Sequence, residues 1–305
     1  MRYTGPGVGT RFLIGLIITL LLWLGPAANL HAQTVAEEPG NAPGSGESQR
    51  WSSFLPFMAE EATKRGIQLP LPLGVGAVFI GLANRDITVT DVRVGLNGAP
   101  PHSVSRFLNL GSTSDVFNAN LKLDAWLLPF LNVYLLGGYV YNESTSRANI
   151  TIPRPVGPGS LNFTTTVKTT LDGFVGGGGL TLAGGYGDFF LVVDTNYAQT
   201  DIGFDNSFRA VVATIRSGWN GRVDNLPLQL WLGAGYWETR NTAMGHADVP
   251  GVGRIKFEAD QGPKYPWLYD IGGSLEIRKE LHLFADVGFD LHGGYLVVVG
   301  PTYRF

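Results

Sequence analysis

Two histidines near the C-terminus stand close to aspartates: His282 with Asp286, and His292 with Asp290. A histidine with an acid or hydroxyl partner in reach is what proton transfer and acyl transfer require. His102 sits in "HSVS" beside Ser103 and Ser105, and His246 stands alone. None of these pairs brings an identifiable third partner. The plainer reading is loop solvation for Asp290 and His292, and a hydrogen-bond network for His282 and Asp286. No metal-ligand spacing is present. The glycine run Gly176–Gly179 lies inside a strand pattern with no helix after it, unlike a phosphate-binding loop. The chain has no Cys, which excludes disulfides, thiolate metal sites, a Cys nucleophile and lipid attachment through an N-terminal Cys. No cofactor is expected, and enzymatic chemistry is the weakest of the readings.

A larger set of charges is arranged by strand spacing. In 116–127, "VFNANLKLDAWL", Phe117, Ala119, Leu121, Leu123, Ala125 and Leu127 share one face, while Asn118, Asn120, Lys122 and Asp124 share the other. Such a dyad suits a strand between lipid and a wet interior, and also a half-buried strand of a soluble sandwich. The pattern recurs in 188–198, 267–278 and 281–290. The candidates for an inner, polar face are Lys122, Asp124, Lys168, Asp172, Asp194, Arg216, Asp270, Glu276, Arg278, Asp286 and Arg304.

The elements that must position these charges begin after an N-terminal leader. Arg2 and Arg11 precede the apolar run 12–24, and "ANLHAQ" follows, so 1–32 reads as a signal peptide. Its removal takes the formal charge from −3 to −5, by loss of Arg2 and Arg11. An acidic chain offers no basic surface, so no nucleic-acid partner is expected. Residues 33–50, rich in Gly, Pro, Ser and Glu, read as a flexible linker. Residues 51–66 read as an amphipathic helix, with Phe54, Phe57, Met58 and Ala62 on one face. Two readings fit it: a plug or brace at one end of a barrel, or a helix lying against the membrane or the periplasmic rim.

From about residue 70 to 305 the period is two. Short connections at 127–132, 184–188, 220–227 and 278–280 alternate with mostly longer ones, including 143–162 and 241–266. A membrane barrel sorts short turns to the periplasm and long loops outside; a sandwich has no reason to. Trp126, Trp219, Trp267, Tyr295 and Tyr303 fall near strand ends, where aromatic girdles form. With both termini periplasmic the strand number is even. Ten strands result if 73–97 is one kinked strand, and twelve if that segment splits and 103–110 contributes. Gly176–Gly179 marks a bulge or a close approach by a neighbour.

On this evidence the chain resembles the bacterial outer-membrane β-barrel proteins as a class. The most specific part is the ending, "LVVVGPTYRF": Val297, Val299, Tyr303 and Phe305 share a face, and Tyr303 with the terminal Phe305 is similar to the class's C-terminal sorting signal. Pro301 interrupts that strand, which suggests a seam or bulge. The resemblance implies an all-β, antiparallel transmembrane barrel of 10–12 strands with a short N-terminal periplasmic helix, located in the outer membrane of a Gram-negative envelope. It implies outer-membrane lipid and the barrel-assembly machinery as partners. The functional expectation is a small porin-like channel or transport protein with a charged lumen, passing a small solute. The alternatives are a structural or surface-interaction barrel with a filled lumen and, behind both, a lipid-modifying enzyme or protease.

Overall fold

The computed structural model describes residues 53–64, 69–96, 99–103, 108–153, 160–201, 207–249 and 253–305. The expected signal peptide and linker lie outside them. The strands are β1 (Leu73–Leu96), β2 (His102–Ser103), β3 (Leu108–Leu128), β4 (Leu131–Pro153), β5 (Ser160–Tyr186), β6 (Phe189–Asp201), β7 (Ser207–Val223), β8 (Leu226–Val249), β9 (Gly253–Pro263), β10 (Trp267–Arg278), β11 (Leu281–Phe289) and β12 (Tyr295–Arg304). Among the described residues one helix, α1 (Ala59–Lys64), precedes them.

Ten strands close a ring in the order β1, β3, β4, β5, β6, β7, β8, β10, β11, β12, and β12 pairs back onto β1. The barrel is antiparallel throughout and is the ten-strand solution expected from a single kinked strand over 73–97. The kink is visible as a register shift between Leu82 and Arg85, where Asn84 takes a left-handed φ of 54°. The terminus closes the seam: Phe305 N donates to Leu73 O at 3.0 Å, and Leu73 N donates to Phe305 O at 3.1 Å. Pro301 lies at this seam, in a gap of the β1–β12 ladder between Thr302 and Val299, across which the register is kept. Its missing N–H removes a ladder bond where the ladder is already interrupted.

Alternation explains which way each side chain points. Outward positions carry an apolar band: Phe174 is 76% exposed, Leu232 65% and Leu135 65%. A closed ring of such residues is far larger than the apolar patches that soluble monomers leave open. In lipid the same band is favourable, and ring closure leaves no unpaired edge. The chain is a transmembrane β-barrel.

The outer side departs from the expected long loops. Segments 143–162 and 241–266 are largely strand, extending the β4–β5 and β8–β9 hairpins. Above the bilayer both faces of a hairpin meet water, so the dyad that marks a strand fades from the sequence. β9 bridges the outer parts of β8 and β1. Lower down, the same strands are bridged by β10, β11 and β12. The β11–β12 hairpin is therefore a wedge inserted in the lower wall only.

At the opposite end the helix is shorter than the expected 51–66. Because α1 starts at Ala59, helical spacing does not apply to Phe54, Phe57 and Met58, which are exposed, while Ala59 and Ala62 are buried. Phe57 N donates to Leu127 O at 2.9 Å, tying this segment to the β3–β4 turn.

Candidate functional site

The barrel encloses a cavity of about 3000 Å³. Its lining runs from Ser53, Glu60 and Lys64 at the helix to Ser144, Thr239 and Gln261 on the outer strand extensions. Its wall divides into a charged belt in the lower half and an apolar collar above it.

The belt is built by a recurring device. Neighbouring strands lie about 4.8 Å apart, so next-but-one strands are roughly twice that. Long side chains can span this gap only if the strand between them presents glycine. Arg216 of β7, Gly233 of β8 and Asp270 of β10 stand in register. Arg216 Nε reaches Asp270 Oδ1 at 3.1 Å over Gly233, and its Nη2 reaches Asp286 Oδ2 at 2.7 Å. A Cβ on Gly233 would fall 2.7 Å from Arg216 Cγ. Arg304, Gly74 and Asp124 repeat the arrangement across the seam. There Arg304 Nη2 meets Asp124 Oδ2 at 3.1 Å, and Asn132 Nδ2 donates to the same oxygen at 2.8 Å.

Tyr134 uses the third such gap. Its ring lies over Gly179, where a Cβ would stand 2.6 Å from Cζ, and its hydroxyl donates to Asp194 Oδ1 at 2.8 Å. Thr181 Oγ1 donates to Asp194 Oδ2 at 2.6 Å. Lys122 Nζ sits 4.4 Å from the Tyr134 ring centroid, a cation–π distance. The glycine run is thus a place of close approach, with an uninterrupted register and no bulge.

Of the sequence candidates, the structure gathers Lys122, Asp124, Asp194, Arg216, Asp270, Asp286 and Arg304 into this belt, and Glu276 lines the cavity below it. Three do not belong. Lys168 and Asp172 occupy the outward face of β5, where the tyrosine hydroxyl of Tyr139 donates to Asp172; the inward positions of that strand are Leu171, Val175 and Thr181. Arg278 is exposed beside the β10–β11 turn, because the register shifts between Glu276 and Arg278. Trp126, expected in a girdle, lines the cavity. Tyr303 and Phe305 lie outward, 51% and 58% exposed.

The collar was not read from the sequence. Outward of the belt, β1 presents Val78, Ile80 and Leu82, β7 presents Val212, and β12 presents Val298. Leu82, Leu268 and Leu296 form its buried centre, with Val116 and Trp237 packed against them. The histidines are engaged differently from a catalytic pair. His282 Nε2 is 3.2 Å from Lys279 O. The His292 ring stacks on Tyr265 at 3.5 Å, and its Nδ1 is 2.8 Å from the backbone oxygen of Asp290.

No family model matches the chain, and no curated protein does either. Among solved structures it is similar to the outer membrane protein OprG from Pseudomonas aeruginosa, at 11% identity and a TM-score of 0.38, covering 78% of this chain and 98% of that one. It is similar to the toluene transporter TbuX from Ralstonia pickettii, at 10% identity and a TM-score of 0.34, covering 78% and 90%. The transport unit of the autotransporter AIDA-I from Escherichia coli gives 12% identity and a TM-score of 0.39, covering 77% and 90%. At these scores the likeness carries no argument about the lumen, whose chemistry is read from its own residues.

Proposed function

We propose that this protein is an outer-membrane channel that passes small solutes through the barrel. The observation that carries this reading is the single cavity whose lining extends from α1 to the outer strand extensions without being divided at the charged belt. The belt favours it too. Its arginines lean along the wall over glycines, so the charges line the interior and leave its axis to solute. Tyr303 and Phe305, free on the outer face, suit recognition by the barrel-assembly machinery during insertion.

Planar-bilayer conductance of the refolded protein tests the channel. Discrete potassium chloride currents are expected, and they rise when residues 33–66 are deleted, because Glu60, Thr63 and Lys64 border the periplasmic mouth. Silence from both forms would reject the channel in favour of a structural barrel.

A further inference from the structure

We infer that the apolar collar with Arg85 is a binding site for an anionic amphiphile, a molecule with a short apolar body and a carboxylate-like head. The inference deepens the channel reading and rests on the same lumen, to which it assigns a solute class.

The argument starts from Arg85. It follows the kink of β1, lines the cavity, and is only 3% exposed. Its Nη2 donates to the carbonyls of Trp237 at 3.1 Å and Tyr265 at 3.5 Å, while its buried Nε has no partner. The belt arginines, Arg216 and Arg304, each hold a carboxylate within 3.1 Å. Among the described residues Arg85 forms no ion pair. Asp290 acts on it through space without pairing with it directly, and Asp290 Oδ1 accepts from the backbone N–H groups of His292 and Gly294. A buried guanidinium with a spare donor is costly to leave so. An anionic acceptor arriving from the lumen would complete it with a charge-assisted bond.

What surrounds Arg85 selects the rest of the ligand. Leu82, Val116, Trp237 and Val298 line the cavity here, backed by the fully buried Leu268 and Leu296. A fully hydrated ion gains nothing from such walls, whereas an alkyl chain or an aromatic ring gains by leaving water. An apolar body against the collar and an anionic head at Arg85 satisfy both at once. A cationic head of the same size would meet the guanidinium as a like charge.

The test uses three eight-carbon probes with one tail: octanoate, octanol and octylammonium. Their binding to the full-length protein in phosphatidylcholine vesicles is measured by equilibrium dialysis, with protein-free vesicles supplying the partition background. A saturable component is expected, strongest for octanoate, weaker for octanol and absent for octylammonium. Arg85→Gln keeps a donor for the two carbonyls and is expected to weaken octanoate about tenfold, the order of one charge-assisted bond, while leaving octanol unchanged. Val212→Asn, in the collar, is expected to weaken octanoate and octanol alike. Octylammonium binding as well as octanoate, or Arg85→Gln binding octanoate like the parent, would overturn the site. If Arg85→Gln does not refold, the order of the three probes on the unmodified protein still decides. Potassium conductance of the same preparation separates the two readings. Currents without a saturable octanoate site defeat this inference alone, and an octanoate site without currents defeats the channel alone.

Discussion

The two halves of the lumen wall are stabilised by opposite means. In the belt, charge on one strand is paired with charge two or three strands away, over glycine. In the collar, branched and aromatic side chains of β1, β3, β8, β10 and β12 pack on one another. The belt depends on partners being complete, since a buried carboxylate whose cation is removed keeps only neutral donors such as Asn132 at Asp124, which do not offset its charge. The collar depends on volume and tolerates exchange among apolar residues. Damage should therefore be abrupt in the belt and graded in the collar.

The largest effect is expected at Arg216. It holds both Asp270 and Asp286, whose side chains are 3% exposed. Arg216→Ala leaves two buried carboxylates together and should cost about 3–5 kcal/mol. Urea unfolding of the vesicle-inserted barrel, followed by heat-modifiable migration on gels, measures it. A cost under about 1 kcal/mol, the range of exposed pairs, would mean that water reaches the pair and that belt and collar are not different in kind. In the collar, Leu268→Ala should cost about 2–4 kcal/mol by opening a cavity, while Leu268→Met should lie under about 1.5 kcal/mol because volume is kept. Equal losses for the two substitutions would remove the graded half of the contrast.

The glycines give the sharper test of how the belt is assembled. Gly179→Val places a side chain where the Tyr134 ring lies, against Cζ at 2.6 Å, and overpacking of this kind costs about 1–3 kcal/mol. Gly176 is three residues earlier on the outward face, with nothing within 4 Å of a Cβ. Gly176→Val should be neutral or slightly stabilising, since valine suits a strand better than glycine. The pair differ in the face they occupy, the inward one meeting both the Tyr134 ring and the Thr195 carbonyl. Similar losses would show that the glycine run serves backbone conformation and not the reach of Tyr134 to Asp194.

How much of this was legible in the sequence follows the same physics. Where one face met lipid and the other the lumen, as in 116–127, alternation assigned both the strand and the side of Lys122 and Asp124. In 160–172 Leu161, Phe163, Val167 and Leu171 share one face and Lys168 and Asp172 the other, a dyad that reads with its apolar row toward lipid; in the barrel Leu171 lines the cavity while Lys168 and Asp172 point out. Arg278 was lost to a register shift that no local residue type announces. The belt's charges could be found by counting in twos, but their pairing could not, because it joins residues 54 and 70 positions apart. The glycines that permit the pairing, Gly74, Gly179 and Gly233, read only as strand glycines until their in-register neighbours were known. The collar was hidden because inward apolar residues look like outward ones.

The smallest effect is expected from the residues that the sequence placed wrongly, and it bears on ion selectivity. Asp172 lies outward, bonded to Tyr139 on the adjacent strand, and Asp194 lies inward, held by two neutral hydroxyls. Both lose one negative charge on substitution by Asn, so bulk charge changes equally in the two variants. Only Asp194 contributes its field to the lumen, where low-dielectric walls focus it. Asp172 is screened by water and salt over roughly a Debye length. Asp172→Asn should leave stability within about 0.5 kcal/mol and the reversal potential in a potassium chloride gradient unchanged. Asp194→Asn should move that potential toward anion preference, because Lys122 then faces the lumen with one neighbouring carboxylate fewer, Asp124 alone remaining. Equal shifts from the two variants would show that selectivity is set at the outer mouth by surface charge, and the belt would keep its structural role without a conducting one.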